Sequence, residues 1–79
     1  PYTGNVINRY THFCMDIHYG SYEEYAPVSA WPPMGQPSQS WWFDANGYIV
    51  SDMHGLVLSV PEGMPVLDGA PVMVVYPRI

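Results

Sequence analysis

The segment FCMDI at residues 13–17 returns 43 residues later as LVLSV at residues 56–60. The same shift places Ile7 on Val50 and Gly20 on Gly63. In both segments large apolar side chains occupy every second position. This two-residue period is typical of a β-strand that places one face on a core. The sequence therefore predicts two copies of one β-rich unit.

Further matches between the two copies need small insertions. One extra residue places the APV of residues 26–28 on residues 70–72, and a second places the WP of 31–32 on the YP of 76–77. We therefore predict a single domain over residues 1–79, with repeat 1 at 4–46 and an incomplete repeat 2 at 47–79.

The strand pattern also predicts which side chains face inward. In each copy one phase of the alternation is assigned to the core and the other phase to the outer face. The predicted inward residues are Phe13, Met15, Ile17, Leu56, Leu58 and Val60, and the predicted outward ones are Cys14, Asp16, His18, Val57, Ser59 and Pro61.

Turn-forming residues separate the strands. The DANG of residues 44–47 lies between two apolar runs, where Asp and Asn suit turn geometry and Gly supplies positive φ, so it predicts a hairpin. Residues 32–37 hold three prolines and are predicted to form a surface loop. Helix patterns are weak, and an all-β fold is expected.

Composition excludes several function classes. The chain has no lysine and only two arginines in a net charge of −5, which argues against nucleic-acid binding. Its apolar runs are far shorter than the ~20 residues that span a bilayer, which argues against membrane insertion. Because the chain starts at Pro1 without an apolar leader, we expect a processed product, secreted or extracellular.

The ordered set of CMDI at 14–17, Gly20, VSAWP at 28–32 and QSW at 39–41 resembles a lobe of the ricin-type β-trefoil (Gln-x-Trp) lectins. The resemblance covers one full lobe and most of a second, and implies a partial β-trefoil with roughly two of the family's three lobes. An unclosed trefoil leaves strand edges and apolar surface in water. We therefore expect other chain material to complete it, from a second copy, a different chain or a continuation of the polypeptide.

Sugar sites need a carboxylate that accepts hydroxyl hydrogens, an aromatic face that stacks on the ring, and polar groups at the rim. The resemblance implies such a site for galactose-type sugars at Asp16, Trp31, Gln39 and Ser38, with Ser29 near the aromatic residue. At positions 29 and 38, where the family usually has amide side chains, this chain has serine. Structural roles stay open: Asp16 as a turn cap, Trp31 in packing, and Gln39 in holding the lobe together.

The second copy has Ser59 in place of the carboxylate and Tyr76 in the aromatic position, and no sugar site is expected there. By resemblance, Trp41 is a core residue. The single cysteine, Cys14, cannot form an internal disulfide and is expected to be buried or at an interface.

We expect no enzyme activity, cofactor or metal site. The adjacent carboxylates Glu23 and Glu24 point opposite ways on an extended chain, and the three histidines lack zinc-ligand spacing. The main hypothesis is a weak, non-catalytic carbohydrate-binding module with one site. The alternative is a degenerate β-trefoil that serves as a structural or inhibitory protein-interaction subunit of a larger homo- or hetero-oligomeric assembly.

Overall fold

Seven short strands carry the fold in a computed structural model that describes residues 3–60 and 70–77. The strands are β1 Thr3–Gly4, β2 Cys14–Ile17, β3 Val28–Trp31, β4 Trp41–Phe43, β5 Ile49–Ser51, β6 Val57–Ser59 and β7 Met73–Val75. Two 3₁₀ turns, His18–Gly20 and Pro37–Gln39, are the helical elements of the described residues. The all-β prediction is confirmed. In residues 3–60 and 70–77, no helix has the length and apolarity to cross a membrane.

Every strand pair is antiparallel among these elements. One sheet has the order β1-β4-β5-β6-β7, and β2 pairs with β3 in a second sheet. Two isolated bridges are formed outside the named strand pairs, Ile7 with Cys14 and Pro27 with Met73, and the second joins the two sheets. Both sheets therefore border one common core.

The 43-residue shift that relates the sequences also relates the backbone hydrogen bonds. Asn8 N–H donates to the Phe13 carbonyl at 2.7 Å, and Ser51 N–H donates to the Leu56 carbonyl at 2.8 Å. The isolated Ile7 bridge likewise corresponds to the pairing of β5 with β6. The chain thus makes the same strand connection twice, whereas the proposed repeat boundary between residues 46 and 47 stays a prediction.

The register of the second hairpin corrects one sequence assignment. Cys14 pairs with Trp31 in the first hairpin, and Val57 pairs with Val75 in the second. Val75 therefore takes the place of Trp31, and the assignment of Tyr76 to that position is wrong. The second insertion assumed from the WP and YP match is not needed for the paired residues.

The turn at residues 44–47 forms as predicted. It connects β4 to β5, whose register pairs Phe43 with Ile49. The Asp44 side chain accepts hydrogen bonds of 2.9 Å from the backbone N–H groups of Asn46 and Tyr48, and Gly47 has a φ of 90°. The carboxylate and the glycine thus supply the two features that this turn needs.

Trp41 lies in the main core cluster, as predicted, with Ile17, Ala26, Leu56 and Val74. Its indole N–H donates to the Met15 carbonyl at 3.1 Å, which satisfies the polar end of a buried aromatic side chain. The inward prediction holds for Met15, Ile17, Leu56 and Leu58, which belong to or pack against this cluster. It is wrong for Phe13, which is exposed.

The outward prediction is wrong for Val57. With Val50 and Val75 it forms a second buried cluster, against which Trp42 and Tyr48 pack. Both faces of β6 are therefore covered by apolar groups, so alternation alone could not separate a core face from a solvent face there. Pro61, also predicted to face outward, lies outside the described residues.

Candidate functional site

A cavity lies on the outer face of the β2–β3 hairpin. Asp16 pairs with Ser29 across the ladder, and Cys14 pairs with Trp31. Because paired residues and residues two apart share a face, these four side chains point to the same side, away from Met15 and its partner on the opposite face. The hairpin register thus brings together Asp16, Ser29 and Trp31, three of the five predicted site residues.

The cavity has a volume of about 350 Å³. Its walls combine a carboxylate, an imidazole, an amide, a hydroxyl and two aromatic rings. The lining residues are Asp16, His18, Tyr19, Gly20, Ser29, Trp31, Met34 and Gln36. Such a mixture of apolar surface with few convergent polar groups is typical of a small-ligand site.

Gln39 holds the proline-rich loop against β2. Its Nε2 donates to Asp16 Oδ2 at 3.0 Å and to the Pro32 carbonyl at 2.9 Å, while its Oε1 accepts from Met34 N–H at 2.8 Å. The Gln39 backbone carbonyl also accepts from Asn5 Nδ2 at 3.1 Å. Both hydrogens of the side-chain amide are used within the protein.

Gln39 and Ser38, for which the resemblance implied contacts with the sugar, are placed differently from the other three residues. Both residues are buried in the second 3₁₀ turn, and neither lines the cavity. Gln39 instead acts behind the site, where it fixes the position of the Asp16 carboxylate. The structural alternative for Gln39 is the one that these contacts favour.

Asp16 was assigned to the outer face of its strand, and that face is correct, but the residue is only 9% exposed. The loop that Gln39 anchors folds over it. The Oδ2 atom of Asp16 accepts a hydrogen bond from Gln39. The Oδ1 atom of Asp16 accepts none from the described residues, and it is not one of the fully buried polar atoms that lack a partner there. A preoriented carboxylate oxygen therefore remains available to a ligand hydroxyl in the cavity.

Sequence reasoning missed three residues with ligand-binding chemistry at the cavity, namely His18, Tyr19 and Gln36. Tyr19 adopts a left-handed φ of 54° in the first 3₁₀ turn, and its ring meets the His18 ring edge-on at a centroid distance of 4.2 Å. The position of both residues directly after β2, before Gly20, was the available signal, because binding residues are frequent in the loops that follow rigid elements.

The thiol of Cys14, which lies next to the site, has low reactivity. Burial raises the pKa of Cys14, and the negative charge of Asp16 raises it further. Cys14 is a free, buried cysteine, as expected. Across residues 3–60 and 70–77, no group of three or more His, Cys, Asp or Glu side chains is arranged to hold a metal ion.

A comparison with known protein families identifies the family of this chain. The family model described as "Ricin-type beta-trefoil lectin domain-like" matches residues 2–75. The chain belongs to this ricin-type β-trefoil lectin domain-like family. Among curated proteins, none matches the chain.

A solved structure shares the fold of this chain. The solution structure of the mdaA-1 domain is similar to this chain with a TM-score of 0.85 at 20% sequence identity. The match covers 98% of this chain and 48% of that one, so the chain spans about half the length of that solved chain. The described strands form a partial β-trefoil, and the family is one whose domain is a non-catalytic carbohydrate-binding fold.

At its described ladder positions, the second copy differs from the first in the residues that it presents. Ser59, Met73 and Val75 occupy the ladder positions that correspond to Asp16, Ser29 and Trp31. Neither a carboxylate nor an aromatic ring is present at these three positions. Among the described ladder positions, the combination of a carboxylate with an aromatic ring therefore occurs in the first copy and not in the second.

Proposed function

We propose that this lectin-family chain binds galactose-type saccharides weakly through the first-lobe cavity and catalyses no reaction. The observation that carries the proposal is the juxtaposition of the Asp16 carboxylate with Trp31 on one hairpin face, inside a cavity of about 350 Å³. The carboxylate accepts hydrogen bonds from sugar hydroxyls, and the half-exposed indole offers a face to the C–H side of the ring.

The rim residues supply secondary contacts in this proposal. Ser29 carries a hydroxyl on the same face as Asp16, and the Gln36 amide and Tyr19 ring lie at the cavity. Single sites of this size commonly bind with a Kd of about 1 mM, or roughly −4 kcal/mol. Useful retention on a glycan surface therefore needs several sites that act together.

The test compares Asp16→Asn with Asp52→Asn. Both remove one negative charge, but Asp52 is exposed and does not line the cavity. The amide carbonyl introduced by Asp16→Asn can still accept from Gln39, so the fold should survive. Because charge-assisted hydrogen bonds contribute ~1.5–3 kcal/mol, Asp16→Asn should lower galactoside affinity ~10- to 100-fold while Asp52→Asn leaves it unchanged.

Affinity is measured by ¹H–¹⁵N NMR titration with methyl-β-galactoside. Shifts at Asp16, Ser29 and Trp31 in the unaltered protein support the proposal. Equal binding by Asp16→Asn, or shifts confined to another surface, would overturn it. A glycan array then separates galactose-type from other saccharides.

A second candidate function is that of a protein-interaction subunit. The specific observation that favours it is the exposure of Ile7 and Phe13, two large apolar side chains on the first strand connection. Native mass measurement tests this role. A protein-interaction subunit should form a stable species heavier than one 8.9 kDa chain when its partner is present.

A further inference from the structure

A second cavity lies on the outer face of the β4–β5 hairpin. It has a volume of about 630 Å³ and shares no lining residue with the cavity at Asp16. Its wall combines two aromatic rings, one carboxylate and one amide with apolar groups. Its lining residues include Trp42, Asp44, Asn46, Tyr48, Val50 and Val57. Saccharide binding at Asp16 makes no use of these residues.

The hairpin register places both aromatic rings beside the carboxylate. Trp42 pairs with Val50, and Asp44 N–H donates to the Tyr48 carbonyl at 3.1 Å, which places Asp44 opposite Tyr48. Because paired residues and residues two apart share a face, these four side chains lie on one side of the hairpin. Trp41 lies on the other side, in the core. The carboxylate of Asp44 therefore has Tyr48 opposite it and Trp42 next to it along the strand.

The Asp44 carboxylate is fixed in position and keeps one oxygen for a ligand. Its Oδ1 accepts hydrogen bonds of 2.9 Å from the backbone N–H groups of Asn46 and Tyr48. Its Oδ2 accepts none from the described residues. Arg9 is the one arginine within residues 3–60 and 70–77, and it does not line this cavity. A cationic ligand would therefore meet a carboxylate that no described arginine neutralises.

The distribution of polar and apolar groups in the wall favours one class of ligand. The faces of Trp and Tyr rings attract a cation, and a nearby carboxylate adds to that attraction. Val50 and Val57 line the cavity away from the turn, and sugar hydroxyls placed against them would lose hydrogen bonds to water without replacement. The methyl groups of a quaternary ammonium make no hydrogen bonds and pack against such a wall without this cost. A methylated cation therefore matches both parts of the cavity.

We propose that this cavity binds a quaternary ammonium group, held against the rings of Trp42 and Tyr48 and beside the Asp44 carboxylate. The net charge of −5 attracts such a cation toward the protein. The proposal goes beyond saccharide binding and does not depend on it. The same chemical group occurs in free choline, in phosphocholine and in trimethylated lysine, and the experiment therefore compares these three sources.

The test is a ¹H–¹⁵N NMR titration of the 79-residue chain with choline. Choline should shift the indole N–H of Trp42 and the backbone amides of residues 44–48, and it should leave Asp16 and Trp31 unchanged. The matched control ligand is 3,3-dimethylbutanol, which has the shape of choline but carbon in place of the charged nitrogen. Because the attraction of the rings for a cation is lost, this alcohol should bind ~5- to 30-fold more weakly than choline.

Three variants separate the charge from the aromatic rings. Asp44→Asn keeps a carbonyl oxygen for the two backbone N–H groups of the turn, and the loss of its charge should weaken choline binding about 3- to 5-fold. Asp52→Asn removes the same charge at an exposed residue outside the cavity and should have no effect. Trp42→Leu keeps apolar cover without a ring face, so it should weaken choline binding and leave 3,3-dimethylbutanol binding nearly unchanged.

Each outcome decides for or against the proposal. Preference for choline over its neutral analogue, with shifts at Trp42 that depend on Asp44, supports it, and the tightest of choline, phosphocholine and trimethyl-lysine indicates the source of the group. Equal binding of choline and 3,3-dimethylbutanol, or no shift at about 50 mM choline, would overturn it. Shifts at Trp42 with methyl-β-galactoside but not with choline would identify a saccharide site and also overturn it. Absence of choline binding leaves the galactoside proposal unchanged, because Asp16 and Trp31 lie outside this cavity.

Discussion

The side-chain amide of Gln39 donates a 3.0 Å hydrogen bond to Asp16 Oδ2, and thereby couples the anchoring of a loop to the placement of a carboxylate. Gln39 is fully buried, and the same amide also satisfies the Pro32 carbonyl. Loop position and site geometry therefore depend on one side chain. This coupling makes Gln39 a positioning residue for the cavity.

Replacement of Gln39 by Glu should destabilise the protein strongly. The variant loses both donations and brings a second carboxylate beside Asp16, so we expect a loss of about 2–4 kcal/mol in the free energy of unfolding at pH 7. Urea denaturation measures it. Gln36→Glu is the matched control, because Gln36 is exposed on the same loop, and its change should stay within ~0.5 kcal/mol.

The Gln39→Glu loss should shrink as the pH falls toward about 4. Repulsion between two close carboxylates raises the pKa of the pair, so one of them takes up a proton and can donate to the other. Equal losses of unfolding free energy for Gln39→Glu and Gln36→Glu would contradict the conclusion that Gln39 holds the loop against β2.

Replacement of Trp41 by Phe should test the core hydrogen bond. The smaller ring leaves space in the core and removes the donor to the Met15 carbonyl, so the free energy of unfolding should fall by about 2 kcal/mol. Trp31→Phe makes the same chemical change at a half-exposed position and should cost far less. A larger loss for Trp31→Phe would show that Trp31 carries packing instead of Trp41.

Stability should depend on pH through His54. Burial lowers the pKa of His54 below its usual 6.5, and the nearby Ser21 backbone raises this pKa by a smaller amount. The Nδ1 of His54 accepts a hydrogen bond from Leu56 N–H at 3.2 Å. The unfolded chain binds the proton more readily, so the contribution of His54 to stability is complete above about pH 6.5 and is lost as the pH falls through the lower folded pKa.

The other copy supplies the control for His54. Thr11, at the equivalent position, accepts from Phe13 N–H through its hydroxyl at 3.2 Å. His54→Thr should keep the acceptor and remove this pH dependence, as measured by urea midpoints between about pH 5 and 7.5. An identical pH slope in both proteins would show that another group titrates.

A pair of turn residues predicts opposite effects of substitution. His12 and Gly55 make equivalent 2.8 Å backbone hydrogen bonds and have φ values of 65° and 77°. Since a left-handed backbone costs a non-glycine residue ~1 kcal/mol or more, His12→Gly should raise the Tm and Gly55→Ala should lower it. Shifts of about 4–8 °C per kcal/mol are expected for this size.

Open space around Gly55 makes its substitution a test of the backbone alone. Apart from Gly55 itself and its two neighbours in the chain, no heavy atom lies within 4 Å of the Cβ that alanine would add. Calorimetry measures both Tm values, and a Tm increase for Gly55→Ala would contradict the strain argument.

Local patterns were sufficient for the strands and for part of the register. The DANG turn and the core position of Trp41 are confirmed, and the 43-residue shift recurs in the hydrogen bonds of Asn8 and Ser51. The turn depends on neighbours in sequence and the shared hydrogen bonds depend on the repeat, whereas the core position of Trp41 followed from the family resemblance. The assignment of Tyr76 to the position of Trp31 was wrong because the alignment of two aromatic-proline pairs does not show which residue pairs with Val57 across the strands.

By itself, the sequence determined the β-rich repeat, the turn chemistry and the hairpin that carries Asp16 and Trp31. Only the tertiary structure decided that Gln39 is buried behind the carboxylate, that Tyr19 and Gln36 border the cavity, and that Ile7 is exposed where Val50 is covered. The physical reason is that burial depends on which segments fold over a side chain, and these segments lie far away in the chain. Alternation along a strand specifies a face, whereas the tertiary contacts specify what covers that face.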